Sequence, residues 1–152
     1  MRYCAFLGDV EWYEDDLSKK VENAARTIAQ QYKNVTFLTA PMCVYNLRVS
    51  EIPKKIKREF PGTHFVLCTK EYHSDYITPG YPFDSILVPA KINKFEDYYP
   101  YLCKWIIEKS DTVLIYISKD SIDGKNHRSI NAYNLKKYAQ ELSKEIFSVE
   151  PE

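Results

Sequence analysis

Lys104-Trp105-Ile106-Ile107-Glu108-Lys109-Ser110-Asp111-Thr112-Val113-Leu114-Ile115-Tyr116-Ile117-Ser118 is the stretch that decides the fold. Its first half completes a helix, the pair Ser110-Asp111 interrupts it, and Val113 to Ile117 continues as a strand that is almost wholly apolar. A strand without polar alternation is covered on both faces, as in a parallel sheet held between two layers of helices. Sheets of that kind bind ligands beyond the carboxyl ends of their strands. The same stretch therefore predicts a site near Ser118.

Working outward, the pattern alternates between strand and helix. Arg2 to Leu7 reads as a strand and is followed by a helix whose Leu17, Val21, Ala24, Ile28 and Tyr32 form one stripe, with Asp15 or Asp16 as its cap. Val35 to Leu38 is a short strand. A helix bearing Ile52, Ile56 and Phe60 follows, capped by Ser50, with Pro53 in its first turn and Pro61-Gly62 as its stop. His64 to Cys68 and Ser85 to Val88 are the next strands, separated by a loop from Glu71 to Phe83 that carries Pro79, Gly80 and Pro82. Phe95, Tyr98, Leu102 and Trp105 mark the helix of the opening stretch, with Pro100 near its beginning. Beyond the apolar strand, Lys119 to Arg128 reads as a polar loop, Ala132, Leu135, Tyr138 and Leu142 as a helix, and Glu145 to Val149 as a last strand. This order predicts an α/β fold, a three-layer Rossmann-like sandwich with a mostly parallel central sheet, formed as one domain over residues 1–152.

Composition narrows the class of function. The chain carries 21 basic and 21 acidic residues, so no overall field draws it to nucleic acid or to an acidic membrane. No apolar run approaches the roughly 18 residues needed to span a bilayer, and the opening residues read as a strand entering a turn rather than a signal peptide. Cys4, Cys43, Cys68 and Cys103 are far apart and mostly in apolar settings, which favours reduced, buried thiols in a cytoplasmic protein.

With these elements in place the chain resembles the SLOG superfamily, the Rossmann-like group that includes LOG-type nucleotide hydrolases and DprA-like proteins. It looks closest to a small bacterial branch of that group. Cys4-Ala5-Phe6-Leu7-Gly8 is similar to the family's opening strand and glycine, and Trp105 to Asp111 with its apolar strand to the family's helix-Ser-Asp-strand junction. Thr39 to Glu51 takes the place of a Gly-rich second turn that leads to a glutamate on the next helix. Asn131 to Ala139 looks like the last helix. The chain departs from the pattern at three turns. Asp9 and Val10 replace a His and an Arg, Asn46 stands where an Asp is usual, and His127-Arg128-Ser129-Ile130 stands where a Gly-Gly-Thr turn is expected. Glycine lets backbone amides approach a phosphate closely, and the whole chain has only four glycines.

Several residues are candidates for a site. Gly8 and Asp9 end the first strand, where a carboxylate could accept hydrogen bonds from a ribose or serve as a general base; a solvated turn residue is the alternative. The resemblance places Asn46 and Glu51 near the cleft. There Glu51 would stabilise or attack an anomeric carbon during N-glycosidic cleavage, or else simply favour the helix dipole. Arg128, Ser129 and Asn131 precede the last helix, whose first amides could hold a phosphate; capping by Ser129 or Asn131 is the plainer reading. Tyr76, in a loop with Tyr72 and Tyr81 and near Tyr98, Tyr99 and Tyr101, could cover a base. His64 reads as structural, and His73, Asp75 and His127 lack a metal-ligand spacing, so neither metal nor cofactor is predicted.

Three functions follow. The first is binding of a nucleotide-derived small molecule at the carboxyl edge, as a sensor or regulator, with Asp9 and Asn46 on ribose and Arg128 and Ser129 on phosphate. The second is an N-glycosidase acting through Glu51 or Asp9. The third is a non-enzymatic interaction protein whose tyrosine-rich region, residues 72 to 101, meets a partner. A homodimer is the assembly that analogy with related domains suggests.

Overall fold

The computed structural model describes residues 2–9, 15–41, 47–70, 83–89, 98–125 and 131–151. Six strands, β1 (Tyr3–Gly8), β2 (Thr36–Thr39), β3 (His64–Cys68), β4 (Ser85–Leu87), β5 (Thr112–Tyr116) and β6 (Glu145–Val149), form one sheet in the order β4-β3-β2-β1-β5-β6. Every neighbouring pair is parallel. The intervening helices are α1 (Asp15–Gln31), α2 (Leu47–Glu59), α3 (Tyr98–Lys109), α4 (Lys119–Ile122) and α5 (Ala132–Glu141). The predicted parallel sandwich is the observed one.

Alternation along β1 shows how the layers form. Cys4 and Phe6 point to one face, where Val21, Ala25 and Ile28 of α1 and Ile52 and Ile56 of α2 bury them. Ala5 and Leu7 point to the other, beneath Leu102 and Ile106 of α3 and Leu135 and Ala139 of α5. The strand is apolar at successive positions because both faces are covered. The two cores differ in character. The first is aromatic: Phe37 and Phe65 stack with centroids 4.7 Å apart, and Phe6 meets Phe37, Phe65 and Tyr116 edge-on at 6.1, 6.3 and 6.2 Å. The second is mainly aliphatic, with Cys68 and Cys103 among its buried side chains.

The Ser110-Asp111 break acts through two hydrogen-bonding devices. Ser110 Oγ donates back to the Ile106 carbonyl at 2.7 Å, which closes α3. Asp111 then exchanges bonds with Tyr3: its amide donates to the Tyr3 carbonyl, and its Oδ2 accepts from the Tyr3 amide at 3.2 Å. The register of β5 against β1 is thereby set from its first residue. At this amino edge the Arg2 guanidinium also donates to Thr112 Oγ1 at 2.9 Å and lies 3.9 Å above the Tyr32 ring. The Tyr32 hydroxyl in turn donates to Glu145 at 2.8 Å, so that β1, α1, β5 and β6 are joined in one network.

Three local expectations are corrected. Helix α1 begins at Asp15, so Asp15 and Asp16 lie within its first turn and neither is its cap. Helix α2 begins at Leu47, so Ser50 is not its cap and Pro53 lies beyond the first turn, inside the helix. The proline removes one amide donor; burial of Ile52 and Ile56 on either side of it keeps the helix continuous against the sheet. The segment read as a polar loop after Ser118 contains α4, four residues long and too short for any periodicity to show. Its signal is the Ser118–Ser121 spacing: Ser118 Oγ accepts from the Ser121 amide at 3.2 Å as an N-cap.

Cys4, Cys68 and Cys103 are free and buried, whereas Cys43 lies outside the described residues. Burial pushes the Cys68 thiol up to about 12 and raises Cys4 as well. Because these values are raised in the fold, the stability they carry is present below the ordinary value of 9.0 and is lost as pH climbs beyond it. In a Cys43→Ser variant at pH 8, an aromatic disulfide reagent should therefore react only as fast as the protein unfolds. Rapid titration of even one thiol in the native state would contradict this burial.

Candidate functional site

The strand order reverses at β1, with β2 on one side of it and β5 on the other. At such a switch point the following connections leave toward opposite faces, opening a crevice beyond the carboxyl ends of the two strands. The residues there are Gly8, the last of β1, with Asp9 directly after it, and Ile117 and Ser118, which follow β5. These are the positions where an open α/β sheet normally receives a ligand.

Asp9 is 3% exposed, and its carboxylate gathers three donors from distant parts of the chain. Its Oδ2 accepts from the Ser118 amide at 2.7 Å and from the Ser121 hydroxyl at 2.7 Å. Its Oδ1 accepts from the Ala132 amide, the first of α5, at 3.0 Å. The backbone is tied as well, since the Asp9 amide donates to the Tyr116 carbonyl at 3.2 Å. A charged acceptor facing backbone amides makes stronger hydrogen bonds than a neutral one. Asp9 thus joins the end of β1, the turn after β5 and the start of α5.

Gly8 is committed to packing. It is opposite Tyr116 in the parallel register, and a Cβ built on it would come within 2.1 Å of the Tyr116 ring. Tyr116 is fully buried against Phe6. The missing side chain makes room for that ring.

Of the other candidates, Ser118 caps α4 and donates its amide to Asp9, and Asn131 caps α5, its Oδ1 accepting from the Asn134 amide at 3.3 Å. Gly8, Asp9, Ser118 and Asn131 therefore belong to one locality. Glu51 does not join them through any described contact. It is exposed on α2 and pairs with Lys54 at 3.2 Å, one turn along the same helix. An exposed pair at this spacing contributes little, so Glu51→Gln should change stability by less than about 0.5 kcal/mol in urea denaturation. A larger loss would reveal a partner beyond Lys54. Asn46, Tyr76, Arg128 and Ser129 lie outside the described residues, as does most of the tyrosine-rich region. Within that region Tyr99 packs against the second core and Tyr101 is exposed.

Three contributors to this locality were not read from the sequence: Ser121, the Ala132 amide and Tyr116. Each meets Gly8 or Asp9 from more than 100 residues away in the chain. The Ser118–Ser121 spacing was the one local signal available. At the opposite edge of the sheet, Lys33, Asn34, Glu59, Phe60 and Gly62 border an open hollow of about 180 Å³, below the size of ordinary ligand sites. Among the described residues no group of three His, Cys, Asp or Glu is placed to hold a metal ion, and no helix is long and apolar enough to cross a membrane.

Fold and crevice together define a Rossmann-like α/β protein with its candidate site at the β1/β5 switch point. No family model and no curated protein matches the chain. Among solved structures it is similar to the molybdenum cofactor binding protein from the phototrophic bacterium Rippkaea orientalis, with a TM-score of 0.61 and 11% identity. The match covers 99% of this chain and 77% of that one. At this identity the likeness is one of fold.

Proposed function

We propose that this protein binds a nucleotide-derived or similar small organic molecule at the carboxyl edge of its sheet, as a divergent SLOG-like member with a sensing or regulatory role. The observation that carries the reading is the reversal of strand order at β1 in an all-parallel sheet, which sets the ends of β1 and β5 side by side. The fold shared with a protein described as binding the molybdenum cofactor supports a small-molecule ligand over a macromolecular one. The balanced charge of the chain agrees with this, since nothing in it favours a polyanionic partner. Glu51, exposed and paired with Lys54, lends no support of its own to N-glycosidic cleavage.

The test is a thermal-shift screen of the purified protein against mono-, di- and cyclic nucleotides and against the molybdenum cofactor. Saturating ligand at about 100-fold above its dissociation constant contributes about 2.7 kcal/mol, a readily measured rise in melting temperature. Absence of stabilisation by every compound would overturn the reading in favour of a protein partner.

A further inference from the structure

We infer that Asp9 keeps phosphate out of the switch point: its carboxylate occupies the donors that a ligand phosphate would otherwise take. The inference deepens the binding reading above and rests on it for its functional meaning. Backbone amides at the end of one strand and the start of a helix are ordinary phosphate receptors in open α/β sheets. Here the Ser118 amide, the Ser121 hydroxyl and the Ala132 amide all point to one buried anion, and that anion belongs to the protein.

Gly8 independently supports the same conclusion. A glycine ending the first strand commonly lets backbone approach a phosphate, whereas the open side of Gly8 is filled by the Tyr116 ring. Both devices that would seat a phosphate between β1 and β5 are thus used internally. A ligand phosphate would have to displace the Asp9 carboxylate from these donors, so any phosphate the ligand carries is bound elsewhere on the carboxyl edge.

The experiment asks whether the three donors form an anion site once the carboxylate is removed. Asp9→Ala and the milder Asp9→Ser are melted in sodium formate, sodium phosphate and sodium chloride at matched ionic strength, beside the wild type. Formate or phosphate, relative to chloride, is expected to raise the melting temperature of the variants by about 5 °C more than that of the wild type. If Asp9→Ala fails to fold in chloride, formate is expected to restore its refolding yield. Equal response of wild type and variants, or no recovery by either anion in both variants, overturns the inference. These measurements use no nucleotide, so their failure and failure of the ligand screen are separate results.

Discussion

Asp9→Asn, a change of one atom, is expected to lower stability by about 3 kcal/mol, or roughly 10 °C in melting temperature for a chain of this size. The carboxylate accepts on both oxygens, from Ser118 and Ser121 on Oδ2 and from Ala132 on Oδ1. The amide of asparagine has one acceptor and one donor end. If its oxygen faces Ser118, its NH₂ meets the Ala132 amide; if it is turned over, the NH₂ meets the Ser118 amide. The Ser121 hydroxyl can rotate to accept, but a backbone N–H cannot. One buried amide is left without an acceptor in either pose, and the others lose a charged partner. Urea and thermal denaturation measure the loss directly. A melting temperature within about 2 °C of the wild type would show that these bonds are not made in solution.

Gly8→Ala is the second large effect, for a steric reason. The added methyl would lie 2.1, 2.1 and 2.2 Å from three atoms of the Tyr116 ring, far inside contact distance. Relief would require moving a ring that is 1% exposed and packed edge-on against Phe6. Overpacking of this kind costs about 3 kcal/mol, again near 10 °C. The cause can be isolated by a double-mutant cycle, because Tyr116→Leu makes room for the methyl. Gly8→Ala should cost far less in the Tyr116→Leu background, with a coupling of at least about 1 kcal/mol. Additive losses would mean that backbone conformation, rather than the ring, excludes a side chain at position 8.

These two residues also mark how far the sequence could be read. The fold was legible because its signals are local. The unbroken apolar run of β5, the Ser110-Asp111 break and the alternation of strand and helix each lie within a few residues of one another. Helix α2 starts earlier than Pro53 suggests, because a proline favours a first turn whereas packing of Ile52 and Ile56 carries the helix through it. Helix α4 is too short to have a period. The site was legible only as a location. Gly8, Asp9, Ser118 and Asn131 stand at strand and helix ends, and the fold brings them to one locality. Their roles depend on partners brought in by the β1–β5 pairing, which no local pattern encodes. Nothing beside Asp9 in the chain names Ser121 or Ala132 as its donors, so the sequence alone suggests a ribose acceptor or a base there.

The central place of β1 has a consequence for how the molecule is made. Strands β1 to β4 are sheet neighbours in chain order, so they can pair as they leave the ribosome. The other edge of β1 must wait for residues 112–116. Until then a nascent half-sheet presents a row of unpaired amides and carbonyls, with Ala5 and Leu7 not yet covered by α5. Such an edge is a template for the β5 of another copy, and exchange of that strand between two nascent chains is the natural misassembly of this topology. The middle of the sheet therefore stays open until a strand from far along the chain closes it, and only β6 remains to be added after that.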